Sequence, residues 1–126
     1  MKNYVLCGMQ FGDEGKGSFV DYLTERYNAR WIVRYNGGSQ AGHTIITPDG
    51  QFHKFSQLGS GMFHPEVKLH LTSNMVVNLD DLLIELEVFE GECGQKYADI
   101  LKRVHIDEEC YIVTPYHKLI NHMRRS

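Results

Sequence analysis

The chain has 126 residues, 42% of them hydrophobic and 23% charged, with a formal net charge of −3. That size suits one domain, and the composition is that of an ordinary globular protein. No basic field argues for nucleic-acid binding, and the Arg124-Arg125 pair is too short to make one. Cys7, Cys93 and Cys110 are odd in number and widely spaced, so they form neither a disulfide framework nor a CxxC metal pattern. Buried structural thiols in a reducing cytosol are expected. The apolar run in "MKNYVLCGMQ" is too short for a signal peptide, and no later run is long enough to span a bilayer. A cytoplasmic protein that binds no membrane follows as the expectation.

In chain order, residues 4–7 form a short apolar run ending at Gly8, as a buried strand does at a loop. The stretch "GMQFGDEGKGSFVDYL" then leads into a helix. Phe19, Leu23 and Tyr27, four apart and with Val20 beside them, predict its buried face. Residues 30–36, "RWIVRYN", are a second strand, followed by the glycine-rich "GGSQAGHT" at 37–44. The "PDG" turn at 48–50 lies between "TIIT" and "QFHKFSQ" and predicts a hairpin. "VKLHLT" predicts another strand.

From residue 78 the pattern is helical. Asn78 serves as cap, Asp80 and Asp81 suit the positive end, and Leu79, Leu82, Leu83 and Leu86 form one stripe. Gly91 and Gly94 are possible stops. A further helix is expected over 95–103, strands at "VHID" and "CYIVT", and a last helix from Pro115 through His122. Strand, helix and strand alternate at the start, so the expected class is α/β, with a mostly parallel sheet flanked by helices. The last helix has no glycine stop, which suits a chain that continues in a longer parent.

The first glycine-rich loop fails the common phosphate-loop spacing. Only Asp13 and Glu14 separate Gly12 from Gly15-Lys16, and Gly17 rather than Ser or Thr follows the lysine. Gly12, Gly15 and Gly17 still let the backbone approach a ligand closely. Amides at the start of the next helix can point at an anion, and Lys16 brings a point charge to it. Asp13 conflicts with a phosphate unless Mg²⁺ lies between them, or unless it faces away as a proton acceptor. Glu14 can pair with Lys16 or Lys54 and hold the loop. Gly-Asp-Glu-Gly is equally the composition of a polar surface turn.

The second loop adds weight, because two such loops after neighbouring parallel strands would lie side by side at one sheet edge. His43 then sits near the phosphates as donor or acid, or holds its own loop. The other six histidines show no ligand spacing and read as surface or packing residues.

"QFGDEGKG" and "AGHT", about thirty residues apart, together resemble the two signature loops of adenylosuccinate synthetases. "VRYNGG", "HKFSQLGSGMF" and "PYHKLINHMRRS" extend the resemblance over most of the chain. The resemblance implies a P-loop-like phosphate loop and an enzyme that couples aspartate to a purine monophosphate, with GTP as co-substrate and Mg²⁺ as metal. In that chemistry inosine monophosphate is phosphorylated on its 6-oxygen, and the aspartate nitrogen then displaces the phosphate. Asp13 matches the base that takes the N1 proton and also binds Mg²⁺. His43 matches the acid that stabilises the transferring phosphoryl.

Gly12, Asp13, Glu14, Gly15, Lys16, Gly17, Ser18, Gly42, His43 and Thr44 match the GTP site. Asp13, Glu14, Gly15, Lys16, Gln40, Ala41, Gly42 and His43 match the purine monophosphate site, and the Gly42 carbonyl matches a Mg²⁺ ligand. Three departures stand out. Phe11 replaces a tryptophan, Ser39 a histidine, and Gln40 an asparagine that contacts the purine, one methylene shorter. Family members are several-fold longer, so residues 1–126 correspond to an N-terminal portion of a larger domain, inactive by itself and homodimeric when whole. A paralogue using another purine monophosphate or amine, and a non-catalytic nucleotide-binding module, are the competing readings.

Overall fold

The computed structural model describes residues 2–10, 12, 14–39 and 42–125. The elements in order are α1 (Lys16–Arg26), β1 (Trp31–Arg34), β2 (His43–Ile46), β3 (Phe52–Phe55), β4 (Lys68–Leu71) and β5 (Val76–Asn78). They continue with α2 (Leu79–Cys93), α3 (Tyr97–Leu101), β6 (Val104–Ile106), β7 (Tyr111–Val113) and α4 (Pro115–Arg125).

The class is α/β, as the alternation predicts. β1, β4 and β6 form a parallel sheet in the order β1-β4-β6, with Ile32 opposite Leu69 and Leu71 opposite Ile106. Parallel neighbours require crossovers. The hairpin and residues 56–67 connect β1 to β4, while β5, α2 and α3 connect β4 to β6. β5 and β7 make a second parallel pair. β2 and β3 pair antiparallel about the expected turn, where Thr47 N–H donates to Gln51 O at 2.8 Å and Gly50 N–H to Thr47 O at 2.9 Å.

The core gathers Ile32, Leu69 and Leu71 from the sheet, Ile45 and Phe55 from the hairpin, and Leu86 and Phe89 from α2. Phe55, Phe63 and Phe89 meet at ring-centroid distances of 5.2–5.5 Å, the geometry aromatic pairs favour.

Helix α2 starts where the cap predicts, since Asn78 Oδ1 accepts from Asp81 N–H, and it ends at Gly94 with φ 68°, not at Gly91. Its inward stripe differs from the expected one. Leu79 and Leu83 are 43% and 47% exposed, and the buried positions are Leu82, Glu85, Leu86, Phe89 and Cys93.

Glu85 is the charged member of that stripe, and the backbone of the segment after β3 partners it. Ser56 N–H donates to Glu85 Oε1 at 2.7 Å, Gln57 N–H to Oε2 at 2.7 Å, and Leu58 N–H reaches both oxygens at 3.2 and 3.3 Å. The Gln57 side chain then clamps the backbone of Asn78, donating to its carbonyl at 2.7 Å and accepting from its N–H at 2.8 Å. Arg103, also buried, donates to the carbonyls of His64 and Val67 at 3.0 and 2.7 Å and to Gln95 Oε1 at 2.5 Å. It thereby fastens the segment before β4 to the end of α3.

Three further expectations are corrected. Residues 4–7 form no strand; Val5 is 82% exposed, and the Tyr4 ring stacks on Tyr27 at 4.4 Å. Cys7 is accordingly exposed, whereas Cys93 is buried and Cys110 half-buried. In α1 the buried residues are Gly17 and Thr24, with Val20 half-buried, while Phe19 and Tyr27 face out. The neighbours come too close for large side chains: a Cβ on Gly61 would stand 2.7 Å from Thr24 Oγ1. Finally, α3 is shorter than 95–103, and α4 runs past His122 to Arg125.

His53 lies in the core rather than at the surface. Its Nδ1 pairs with the Glu92 carboxylate, and its Nε2 is 3.5 Å from Glu85 Oε1, an ion-pair contact rather than a good hydrogen bond. Burial works against the imidazolium, but Glu85 and Glu92 outweigh it and raise the pKa above the ordinary value. The folded state therefore holds this proton more tightly than the unfolded chain. The resulting stabilisation is complete below about pH 6.5, where the unfolded imidazole is protonated too. It is lost as pH rises through the raised folded value. Thermal melts across pH 5.5–8.5 should show this decline, and His53→Leu should remove it while lowering stability by about 1–3 kcal/mol through the stranded carboxylates.

Candidate functional site

The first loop is organised around Glu14. Gln10 N–H donates to Glu14 Oε1 at 2.6 Å, and Lys16 Nζ donates to Oε2 at 2.5 Å. Of the two expected partners of Glu14, the structure thus selects Lys16. The Lys16 contact, then the Gln10 amide, hold the Glu14 carboxyl below its ordinary pKa, so it is ionised at neutral pH. Gly8 makes room for this pair, since a Cβ there would lie 2.0 Å from Glu14 Oε2 and 2.7 Å from Lys16 Nζ.

Gly15, at φ 67° and ψ 21°, is the N-cap of α1 and offers no side-chain cap. The first amides of a helix have no intrahelical acceptor, so those of α1 are donors for an anion, with Lys16 at the same turn.

The second loop leaves β1 and enters β2. Gly37, at φ 94°, accepts from Val76 N–H at 2.8 Å through its carbonyl. The Ser39 carbonyl accepts from the Ser56 hydroxyl. His43 opens β2 opposite Phe55. A Cβ on Gly42 would meet Lys54 Cε at 2.3 Å, so the lysine stem crosses directly over this glycine.

The two loops meet at Gly17 and His43. A Cβ on Gly17 would stand 2.5 Å from His43 Cβ and 2.9 Å from its Cγ. The sequence reading expects this meeting at the ends of two neighbouring parallel strands. Instead, among the described residues no strand precedes the first loop, and the packing of α1 on β2 brings the loops together. Gly12, Ser18, Gly42 and Thr44 are exposed. Phe11, Asp13, Gln40 and Ala41 lie outside the described residues.

The support beneath the second loop comes from residues distant in sequence. Arg34 Nη1 donates to the Ser56 carbonyl and, at 3.5 Å, reaches the Leu58 carbonyl. Burial pushes the Arg34 pKa down against the attraction of Glu85, yet a guanidinium stays charged. The signal in the sequence is Glu85, a carboxylate inside an otherwise apolar helix stripe, which must have a partner. Among the described residues, no three or more His, Cys, Asp or Glu side chains gather into a group able to hold a metal ion.

The sequence model of the adenylosuccinate synthetase family matches residues 5–126. The chain is 38% identical over 125 residues to an adenylosuccinate synthetase of Haemophilus influenzae, covering 99% of the chain and 27% of that protein. It is 41% identical over 115 residues to adenylosuccinate synthetase 2 of Cupriavidus pinatubonensis, covering 91% of the chain and 24% of the relative. The fully ligated adenylosuccinate synthetase from Plasmodium falciparum superposes with a TM-score of 0.78 at 30% identity, over 93% of this chain and 25% of that one. The succinoaminodeoxyadenylate synthetase of cyanophage S-2L, bound to dGMP and dATP, shares the fold with a TM-score of 0.69 at 21% identity, over 90% of this chain and 30% of that one. The chain thus spans about a quarter of the length of these relatives.

The close approach at Gly17 makes a testable demand. Gly17→Ala should destabilise the protein by about 1–3 kcal/mol in denaturant titration, because the added methyl forces α1 away from β2. Gly91→Ala, in the last turn of α2 where a Cβ meets nothing within 4 Å, should instead stabilise it, by at most about 0.5–1 kcal/mol.

Proposed function

The chain belongs to the adenylosuccinate synthetase family, and from that premise we propose that the whole protein ligates aspartate to inosine monophosphate to form adenylosuccinate, with hydrolysis of GTP. The observation that carries the proposal is the contact of Gly17 with His43. It joins a helix start bearing Lys16 to the loop bearing the candidate acid, as phosphoryl transfer to a bound purine requires.

In this reading the amides from Gly12 to Ser18 and the Lys16 ammonium bind phosphate. Lys16 is already paired with Glu14, so an incoming phosphate competes for a cation that the loop keeps close and oriented. His43 donates to the transferring phosphoryl group and to the leaving diphosphate. Its place is set by the pairing of β2 with β3 and by the Gly17 contact behind it. Asp13 takes the proton from purine N1, which makes the 6-oxygen the nucleophile. Gln40 and Ala41 complete the purine side and Thr44 the GTP side.

Mg²⁺ suits the donors available, a carboxylate from Asp13 and the carbonyl of the exposed residue Gly42, because this ion takes hard oxygen ligands and retains water and phosphate oxygens. When bound it neutralises phosphate charge. Positioning and charge neutralisation are the main sources of rate in such chemistry. The same reading makes the whole protein a cytoplasmic homodimer. No helix of the described residues is long and apolar enough to cross a membrane.

Ser39 and Gln40 favour a second reading, in which the purine monophosphate is a different one. A parallel assay of several purine monophosphates with GTP, Mg²⁺ and aspartate separates the two, and a clear preference for inosine monophosphate removes the second. In the whole protein Asp13→Ala should abolish synthesis while leaving the fold intact by circular dichroism. Activity surviving within about tenfold, roughly 1.4 kcal/mol of barrier, rules out the base assignment. His43→Asn should cost at least about a hundredfold in kcat.

A further inference from the structure

We propose that Ser56 is a positioning residue that sets purine preference, by holding the Ser39 carbonyl one peptide before Gln40. The inference rests on the ligase reading above. The Ser56 hydroxyl donates to the Ser39 carbonyl, and every other polar group of Ser56 is engaged as well. Its N–H donates to Glu85 Oε1 at 2.7 Å, and its carbonyl accepts from Arg34 Nη1. Glu85 lies on α2 and Arg34 ends β1, the strand that leads into the second loop. Ser56 therefore ties the loop, through its hydroxyl, to two rigid elements that hold its own backbone.

The loop has separate anchors at its two ends, Gly37 through the Val76 amide and His43 through β2. Ser39 lies between them, beside the residue that carries the amide expected to read the purine. A serine hydroxyl is short, so it fixes the Ser39 carbonyl with little added bulk.

Removing the hydroxyl leaves the Ser39 carbonyl without this donor and loosens the loop at Ser39, while His43 keeps its strand pairing. Binding sites that read a substrate by hydrogen bonds discriminate strongly against a mispositioned partner. The effect should accordingly fall on recognition of the purine rather than on phosphoryl transfer.

The test uses the whole protein. Steady-state kinetics are measured with inosine and guanosine monophosphates, and hydrogen exchange is followed over residues 37–43. In Ser56→Ala, loop exchange should rise, KM for inosine monophosphate should rise about tenfold or more, and kcat should stay within about threefold. Discrimination between the two nucleotides should narrow. Ser56→Thr, which keeps the hydroxyl, should restore all three. Ser56→Cys, close in size but a weak donor, gives the same comparison if the alanine variant does not fold.

A variant that loses kcat at unchanged KM, or one whose loop loosens with KM and discrimination intact, overturns the inference while the ligase reading stands. Wild-type protein that turns over no purine monophosphate, with folded variants behaving alike, overturns the ligase reading and the substrate preference with it.

Discussion

The carboxylate of Glu85 is the group on which most of the surrounding structure depends. Removing such a charge from water costs several kcal/mol, and only close partners offset it. Here the partners are three consecutive backbone amides, Ser56 to Leu58, with His53 on the other side. Because those amides belong to the segment that leaves β3, the acid fixes the hairpin against α2. Gln57, held in the same turn, then grips Asn78 at the start of that helix. Both the beginning and the middle of α2 are thus referenced to three residues, and charge-assisted bonds give the arrangement a direction that apolar packing lacks.

The site is built with the opposite device, the absence of side chains. Gly8 admits the Glu14–Lys16 pair, Gly17 admits His43, and Gly42 admits the stem of Lys54. At each point a charged or aromatic group approaches a backbone at a distance that no Cβ would permit. The glycines of the two loops therefore serve less as flexible links than as spacers of minimum thickness. They bring chemically active groups from three different elements to one small region.

Much of the fold is legible in the sequence wherever the signal is local. The Pro48-Asp49-Gly50 turn with its flanking runs gives the hairpin, and Asn78 and Gly94 mark both ends of α2. The paired glycine loops with Lys16 and His43 carry the family resemblance within the sequence itself. What escapes is set by partners distant in sequence. The run at residues 4–7 has strand composition, but composition does not supply a neighbouring strand. The buried face of α1 falls on Gly17 and Thr24 because other elements come close, which periodicity of large residues does not register. Glu85 looks like a solvent residue until the amides nearly thirty positions earlier are placed against it. Ser56 is invisible for the same reason, since a single serine after a strand carries no pattern of its own.

The hairpin register has a consequence for how such a chain can change. His43 faces Phe55, and Thr44 faces Lys54, because the turn at residues 48–50 closes at one fixed length. A strand presents alternate residues to opposite faces, so a slip of one position would turn His43 away from α1 and present Thr44 in its place. One residue inserted or lost at the hairpin tip would therefore turn His43 away from the Gly17 contact without altering a single residue of either loop. Sequence drift at that tip is rationed in length as well as by the left-handed Gly50, a constraint that a catalogue of ligand-contacting residues would never record.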